Sequence, residues 1–300
     1  AGVFFFLPYI IESGILQVVK QCQLPESTAL FSEQACLSML LLKLIGSERL
    51  SHIAAYDHEP GLGVFTGLNY LPKTTFMTTY SCRTSNSLLL DFQKQLMERF
   101  QEVYPEFYES PFINLDFHSI PHFGEQSKME KVWCGARGKA IKGANTLFAQ
   151  DSHSNAILYT RADILRKNEA NEIKNFVTYW KEVRKKNVRE TLVFDCKLTT
   201  YRILDELSAD GVQFITLRKR NKELIAATEK IPDKEWKKIY LNIPKRKHKS
   251  CSIYVSEVTL PKCKNPVKQI TITDQGRAQP TYLITNNREL SLEDILEVYA

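Results

Sequence analysis

Two aspartates each follow an apolar run, Asp116 in "FINLD" and Asp195 in "TLVFD". A carboxylate at the end of such a run sits at the rim of a largely buried strand, where ions can reach it. Taken singly, an Asp in this place is more often a turn or cap acid. As a pair they support different chemistry. Two carboxylates held close raise one another's pKa unless a cation lies between them. Hard oxygen donors select Mg²⁺ or Mn²⁺ over zinc. Two such ions about 4 Å apart, with a third carboxylate completing the cage, can activate an attacking oxygen and stabilise a leaving one in phosphodiester chemistry.

Other chemistry-bearing residues fit less well. His118 and His122 are four apart, but Pro121 and the strand context stop them from acting as a helical metal pair. His118 can still reach substrate or metal from beside Asp116. Asp151 falls in "DSHS", where it is expected to turn a hairpin. Cys196 follows Asp195 without an evident base and reads as a small buried residue. No P-loop, G-x-S-x-G or G-x-G-x-x-G motif occurs.

The elements around the two aspartates suggest how they are positioned. "PFINLDFHSIP", "ANTLFAQD" and "NAILYTRAD" read as three successive strands. "NEANEIKNFVTYWKEVRKKN" follows as a helix with Ile173, Phe176, Val177, Trp180 and Val183 on one stripe. "ETLVFDC" reads as a buried strand, "LTTYRILDELSADG" as a helix capped by Thr199 or Thr200 and ended at Gly211, and "VQFITLRK" as a strand. The order β-β-β-α-β-α-β implies an antiparallel meander on one side of a sheet and parallel crossovers on the other. This is an α/β, RNase H-like mixed sheet in which the first and fourth strands are neighbours, so Asp116 and Asp195 are expected to meet.

The chain is expected to divide into four segments. Residues 1–108 carry mainly helix signals: Ser32 as a cap for "EQACLSMLLLKLIG", Ser47 as a cap for "ERLSHIAAY", and Leu88, Leu89, Phe92, Leu96 and Phe100 on one face of a long helix. A helix-turn-helix is conceivable there, but the net acidic composition favours a packed bundle. Residues 109–220 form the catalytic core, and 221–290 give the strand-like runs "KKIYLNI", "CSIYVSEVTL", "VKQITIT" and "PTYLIT", taken as a β-rich basic insertion. Residues 291–300 begin the last core helix, with Ser291 and Asp294 as a capping box and Leu290 stapling Ile295. That helix is expected to be cut short. Together with an opening on Ala1, this suggests a fragment.

Composition sets limits on the rest. The 300 residues are 43% hydrophobic, enough for a sizeable core and about two ~150-residue domains. "GVFFFLPYII" and "ACLSMLLLKLIG" are shorter than the ~18 residues of a membrane span and read as buried helices. Seven cysteines without a C-x-x-C argue against a disulfide framework or zinc ribbon and suit a reducing cytoplasm. The net charge is only +6, yet residues 212–268 hold 15 Lys and Arg against 5 Asp and Glu. Such a block is the footprint of a polyanion contact or a lysine-rich solvated surface. The phosphate-contact candidates are Lys219, Arg220, Lys245, Arg246, Lys247 and Lys249. Trp236 and Tyr240 could stack on an unpaired base, but a core role is favoured for both.

Over nearly its whole length the chain resembles the DDE transposases of bacterial insertion sequences. The segments that carry the resemblance are "LKLIGSERLSHI", "GLNYLPKTTFMTTYSCR", "LDFHSIPHFG", "AQDSHSNAILYTRAD", "LVFDCKLTTYRILDELSADGVQFITLRKR" and "QITITDQGRAQPTYLITNN". In the similar subgroup the last helix reads Y-x2-R-x3-E-x6-K. Tyr299 matches its Tyr, and the Arg, catalytic Glu and Lys have no counterpart before Ala300. The resemblance implies metal-dependent DNA cleavage and strand transfer, with two Mg²⁺ or Mn²⁺ ions on Asp116, Asp195 and the outstanding Glu, and inactivity of this fragment alone. It further implies double-stranded DNA at element ends and target, a homodimer on paired ends, end-DNA binding by the β-rich insertion, and a cytoplasmic place on the nucleoid. Two rival readings remain: an RNase H-like nuclease without strand transfer, and a catalytically dead DNA-binding remnant.

Overall fold

The computed structural model describes residues 2–124, 128–241 and 249–299. The chain divides into two compact units, Ala1–Pro105 and Glu106–Ala300.

In the first unit, six helices are joined by turns and short 3-10 segments: α1 (Leu7–Ser13), α2 (Ile15–Gln21), α3 (Ser32–Leu44), α4 (Pro60–Phe65), α5 (Thr74–Thr79) and α6 (Asn86–Val103). Ser85 caps α6, its hydroxyl accepting the Leu88 N–H at 3.2 Å. Leu88, Phe92 and Leu96 pack on buried Val18 and Val19 of α2, whereas Leu89 is 47% exposed and lies off that face. Two further expectations need correcting. The cap of α3 is Phe31, whose N–H donates to the Gln34 side chain at 3.0 Å, because a Gln three places on reaches back to the helix start. Ser32 lies inside the helix and bonds Glu33 instead. "GVFFFLPYII" is not a buried helix either. Phe5, Tyr9 and Ile11 are well exposed, since Gly14, at φ +67°, ends α1 after seven residues and leaves too short a face to bury them.

The second unit is built on one large sheet. Its strands are β1 (Phe112–Pro121), β2 (Lys131–Cys134), β3 (Lys139–Asp151), β4 (Ile157–Arg161), β5 (Thr191–Phe194), β6 (Phe214–Leu217), β7 (Lys237–Tyr240), β8 (Ser250–Thr259), β9 (Pro266–Thr273) and β10 (Thr281–Thr285). The helices are α7 (Glu172–Arg184), α8 (Tyr201–Ala209), α9 (Lys222–Thr228) and α10 (Leu292–Tyr299). β1 pairs antiparallel with β3, and β3 with β4; β5 joins β1 in parallel, and β6 joins β5 in parallel. The core order β4-β3-β1-β5-β6 is the RNase H-like mixed sheet. It follows from two βαβ crossovers, through α7 and α8, that fold back onto their own sheet.

Beyond β6 the sheet does not stop. β10 pairs antiparallel with β6, and β9, β8 and β7 follow edge to edge. The run read as an insertion thus extends the core sheet and closes what would otherwise be a bare parallel edge. It also contains α9, which the sequence reading did not include. The opening meander gains the short β2, paired to β3 from Lys131↔Lys142 to Cys134↔Lys139.

All five stripe residues of α7 are buried, and Phe176 stacks on Trp180 at 6.2 Å. The Thr200 hydroxyl caps α8. At the chain's last helix the Ser291 hydroxyl accepts the Asp294 N–H at 3.0 Å and donates to its carboxylate at 2.6 Å. Ile295 and Leu296 then bury against Val193, Ile215, Ile270 and Leu283, with Leu290 beside them. The helix is thereby held on one sheet face, with Tyr299 at its end.

Candidate active site

β1 and β5 run parallel with Leu115 in register with Phe194, so Asp116 and Asp195 are the next residues of two adjacent strands. Both line one cleft of about 450 Å³, together with Asn114, Gln275, Arg277 and Tyr299. Their placement follows from the local sequence. Ile113 and Leu115 are buried and Asp116 is the first exposed position of β1; all four β5 residues are buried, and Asp195 is only partly so. Period-2 alternation puts Asn114 and Asp116 on the same face of β1.

One oxygen of each carboxylate is fixed by its own backbone. Asp116 Oδ1 accepts the Phe117 N–H at 2.8 Å, and Asp195 Oδ1 accepts the Cys196 N–H at 2.5 Å. The Cys196 thiol also hydrogen-bonds the Asp195 side chain. An all-carboxylate pair has the donor chemistry of a hard divalent cation. Among the described residues no group of three or more His, Cys, Asp and Glu comes together.

The neighbouring groups report the local field. Burial raises the Tyr299 phenol well above its usual range, and the charges of Asp195, Cys196 and Asp116 add to it, with Arg277 opposing. Tyr299 is therefore a neutral hydroxyl facing an acidic pair. The Cys196 thiol is pushed up to about 11, first by burial and then by Asp195, against a lowering by Lys219. A thiol so raised is a poor nucleophile.

The remaining candidates separate. Lys219 and Arg220 are exposed just after β6, and Lys219 is near enough to act on Cys196. Lys249 is exposed at the start of β8. Lys245, Arg246 and Lys247 lie outside the described residues. His118 is exposed on the Asp116 face, its ring edge-on to Phe148 at 6.4 Å. Asp151 is a turn acid: Oδ1 accepts the His153 and Ser154 N–H groups at 2.9 Å, and Oδ2 accepts that of Ser110 at 3.1 Å. Trp236 packs partly buried against Tyr254, but the core role favoured for Tyr240 fails, because it is 65% exposed on β7, which pairs only with β8 among the described strands.

Sequence reasoning missed Gln275 and Arg277. They belong to the turn between β9 and β10, where Asp274 and Gly276 take positive φ. "TDQGR" signals a turn. Nothing local says that it folds over the aspartates.

No protein-family model matches the chain, and no curated protein matches it. Its likenesses to solved structures are distant. A piggyBac transposase synaptic complex with hairpin DNA is similar at 11% identity and a TM-score of 0.46, over 95% of this chain and 60% of that one. The catalytic domain of human endonuclease V is similar at 10% identity and a TM-score of 0.27, over 72% and 87%. A Mos1 transposase paired-end complex is similar at 9% identity and a TM-score of 0.25, over 63% and 61%. The chain thus spans about three fifths of the piggyBac and Mos1 chains.

Proposed function

We propose that this chain is the catalytic part of a DNA transposase that cuts and joins phosphodiester bonds at the Asp116–Asp195 cleft. The observation that carries the reading is the meeting of the two carboxylates in one cleft, where the parallel ladder of β1 and β5 ends in an RNase H-like sheet. The resemblance in the sequence implies strand transfer and a third carboxylate that completes the metal cage. In this reading Asp116 and Asp195 hold two Mg²⁺ or Mn²⁺ ions, which when bound supply activation of the attacking oxygen and charge stabilisation of the leaving one. Asn114, Arg277 and Tyr299 orient the substrate beside them, and Lys219, Arg220 and Lys249 contact DNA phosphates. Double-stranded DNA is the partner, and the cytoplasm the place of action.

Metal binding tests the reading on this chain. In a titration with Mn²⁺, paramagnetic broadening should centre on residues 114–117 and 194–196 and vanish in Asp116→Asn and Asp195→Asn. Broadening that persists in both variants would remove the site. With the third carboxylate supplied, formation of joined products from pre-cut ends distinguishes strand transfer from hydrolysis alone.

A further inference from the structure

Past Asp116 the sheet carries a second exposed surface, on the β2–β3 ribbon. Residues opposite each other in an antiparallel pair share a face, as do residues two apart along a strand. Asp116 lies opposite Phe148, His118 opposite Thr146 and Ile120 opposite Ala144. Further along the same register, Lys142 lies opposite Lys131 and Ala140 opposite Trp133. Asp116, His118, Ile120, Lys142, Lys131 and Trp133 therefore lie on one face.

This strip is open. Trp133 is 58% exposed and Ile120 48%, and His118 and Lys131 are exposed as well. Two cations, Lys131 and Lys142, lie on this face, and residues 128–142 contain a single acidic residue, Glu130. Aromatic rings interleaved with cations match a nucleic-acid strand, whose bases stack on the rings while its phosphates meet the cations. Their continuity with the carboxylate pair argues for the same strand at both places.

We infer that this strip is a binding track for an unpaired strand, on which Trp133 stacks a base of the strand held at Asp116. The inference rests on the proposed function, since the strand it guides is the one cut there. Phe148 and Ala140 are eight residues apart on β3, which at ~3.3 Å per residue is roughly 26 Å. A strand kept at the ~3.4 Å per-nucleotide rise of a stacked duplex strand covers that span in about eight nucleotides. Lys131 lies between, exposed on the same face to meet an intervening phosphate.

The test is fluorescence anisotropy of a labelled duplex with a single-stranded extension, without divalent ions so that catalysis is not needed. Trp133→Ala should weaken binding roughly fivefold to a hundredfold, and Trp133→Phe should restore most of it. Lys131→Glu should reduce the salt slope by about one. Iododeoxyuridine placed about eight nucleotides from the cut position should cross-link to Trp133. If wild type binds the probe while Trp133→Ala and Lys131→Glu bind it equally well, the track is overturned and the proposed function stands. If wild type binds no DNA, both fall. A Trp133→Ala protein that changes oligomeric state at unchanged DNA affinity assigns the surface to a protein contact and overturns the track.

Discussion

The centre of the sheet and its two wings solve different problems. β5 is buried at all four positions and β6 at three, whereas the wing strands β2 and β7 expose Lys131, Trp133, Lys237, Lys238 and Tyr240. The centre is held by close packing, with Phe214, Ile215, Ile270 and Ile284 essentially inaccessible. The wings are held by ladder hydrogen bonds and leave one face of each strand to solvent, while Cys134 and Ile239 turn inward. Rigid apolar strands are what can fix two mutually repelling carboxylates. Exposed ribbons suit a long, charged ligand.

The first way to break this contrast is at its junction. With the third carboxylate supplied, Asp116→Ala or Asp195→Ala should lower metal-dependent DNA cleavage to background while leaving DNA affinity intact. A variant that still cuts would move the chemistry elsewhere. Next comes the centre: Trp180→Ala or Phe214→Ala should cost about 3–5 kcal/mol in urea unfolding, against less than about 0.5 kcal/mol for Trp133→Ala on the wing. Equal losses would mean that the wing is core. Smaller still, Lys249→Glu and Lys219→Glu should each reduce the salt slope of DNA binding by about one without shifting Tm.

The smallest effect is at Cys196. With the thiol raised to about 11 from 9.0, its alkylation should be slow near neutrality and rise tenfold per pH unit up to about pH 11. The raised value favours the folded state below pH 9, and this contribution is lost as pH climbs through 11. A rate that levels off near pH 9 instead would show that the site is more open than its packing implies.

The two aspartates were legible because each follows an apolar run with strand periodicity, and their meeting followed from counting βαβ units. α7 and the Ser291 cap were legible for similar reasons, a 3.6-residue stripe and a short-range hydrogen bond. Leu89 and the "GVFFFLPYII" segment were misjudged because apolar type was read as burial, while Gly14 and the turn of α6 set which side chains have neighbours. Arg277 and Gln275 had no local mark of function, and the shared face of Asp116 and Trp133 depends on a register that composition does not contain.

By itself, the amino-acid order determined β1 and β3 to β6 with α7 and α8, the two acids that follow apolar runs and the location of the positive charge. These depend on neighbours within a few residues, where periodicity and capping act directly. Only the tertiary structure decided that the 221–290 strands continue the core sheet, that the β9–β10 turn closes over the acids, and that a tryptophan lies on the face of Asp116. Those outcomes depend on pairing between distant segments, whose free energy comes from burial and ladder bonds that no short stretch of chain possesses alone.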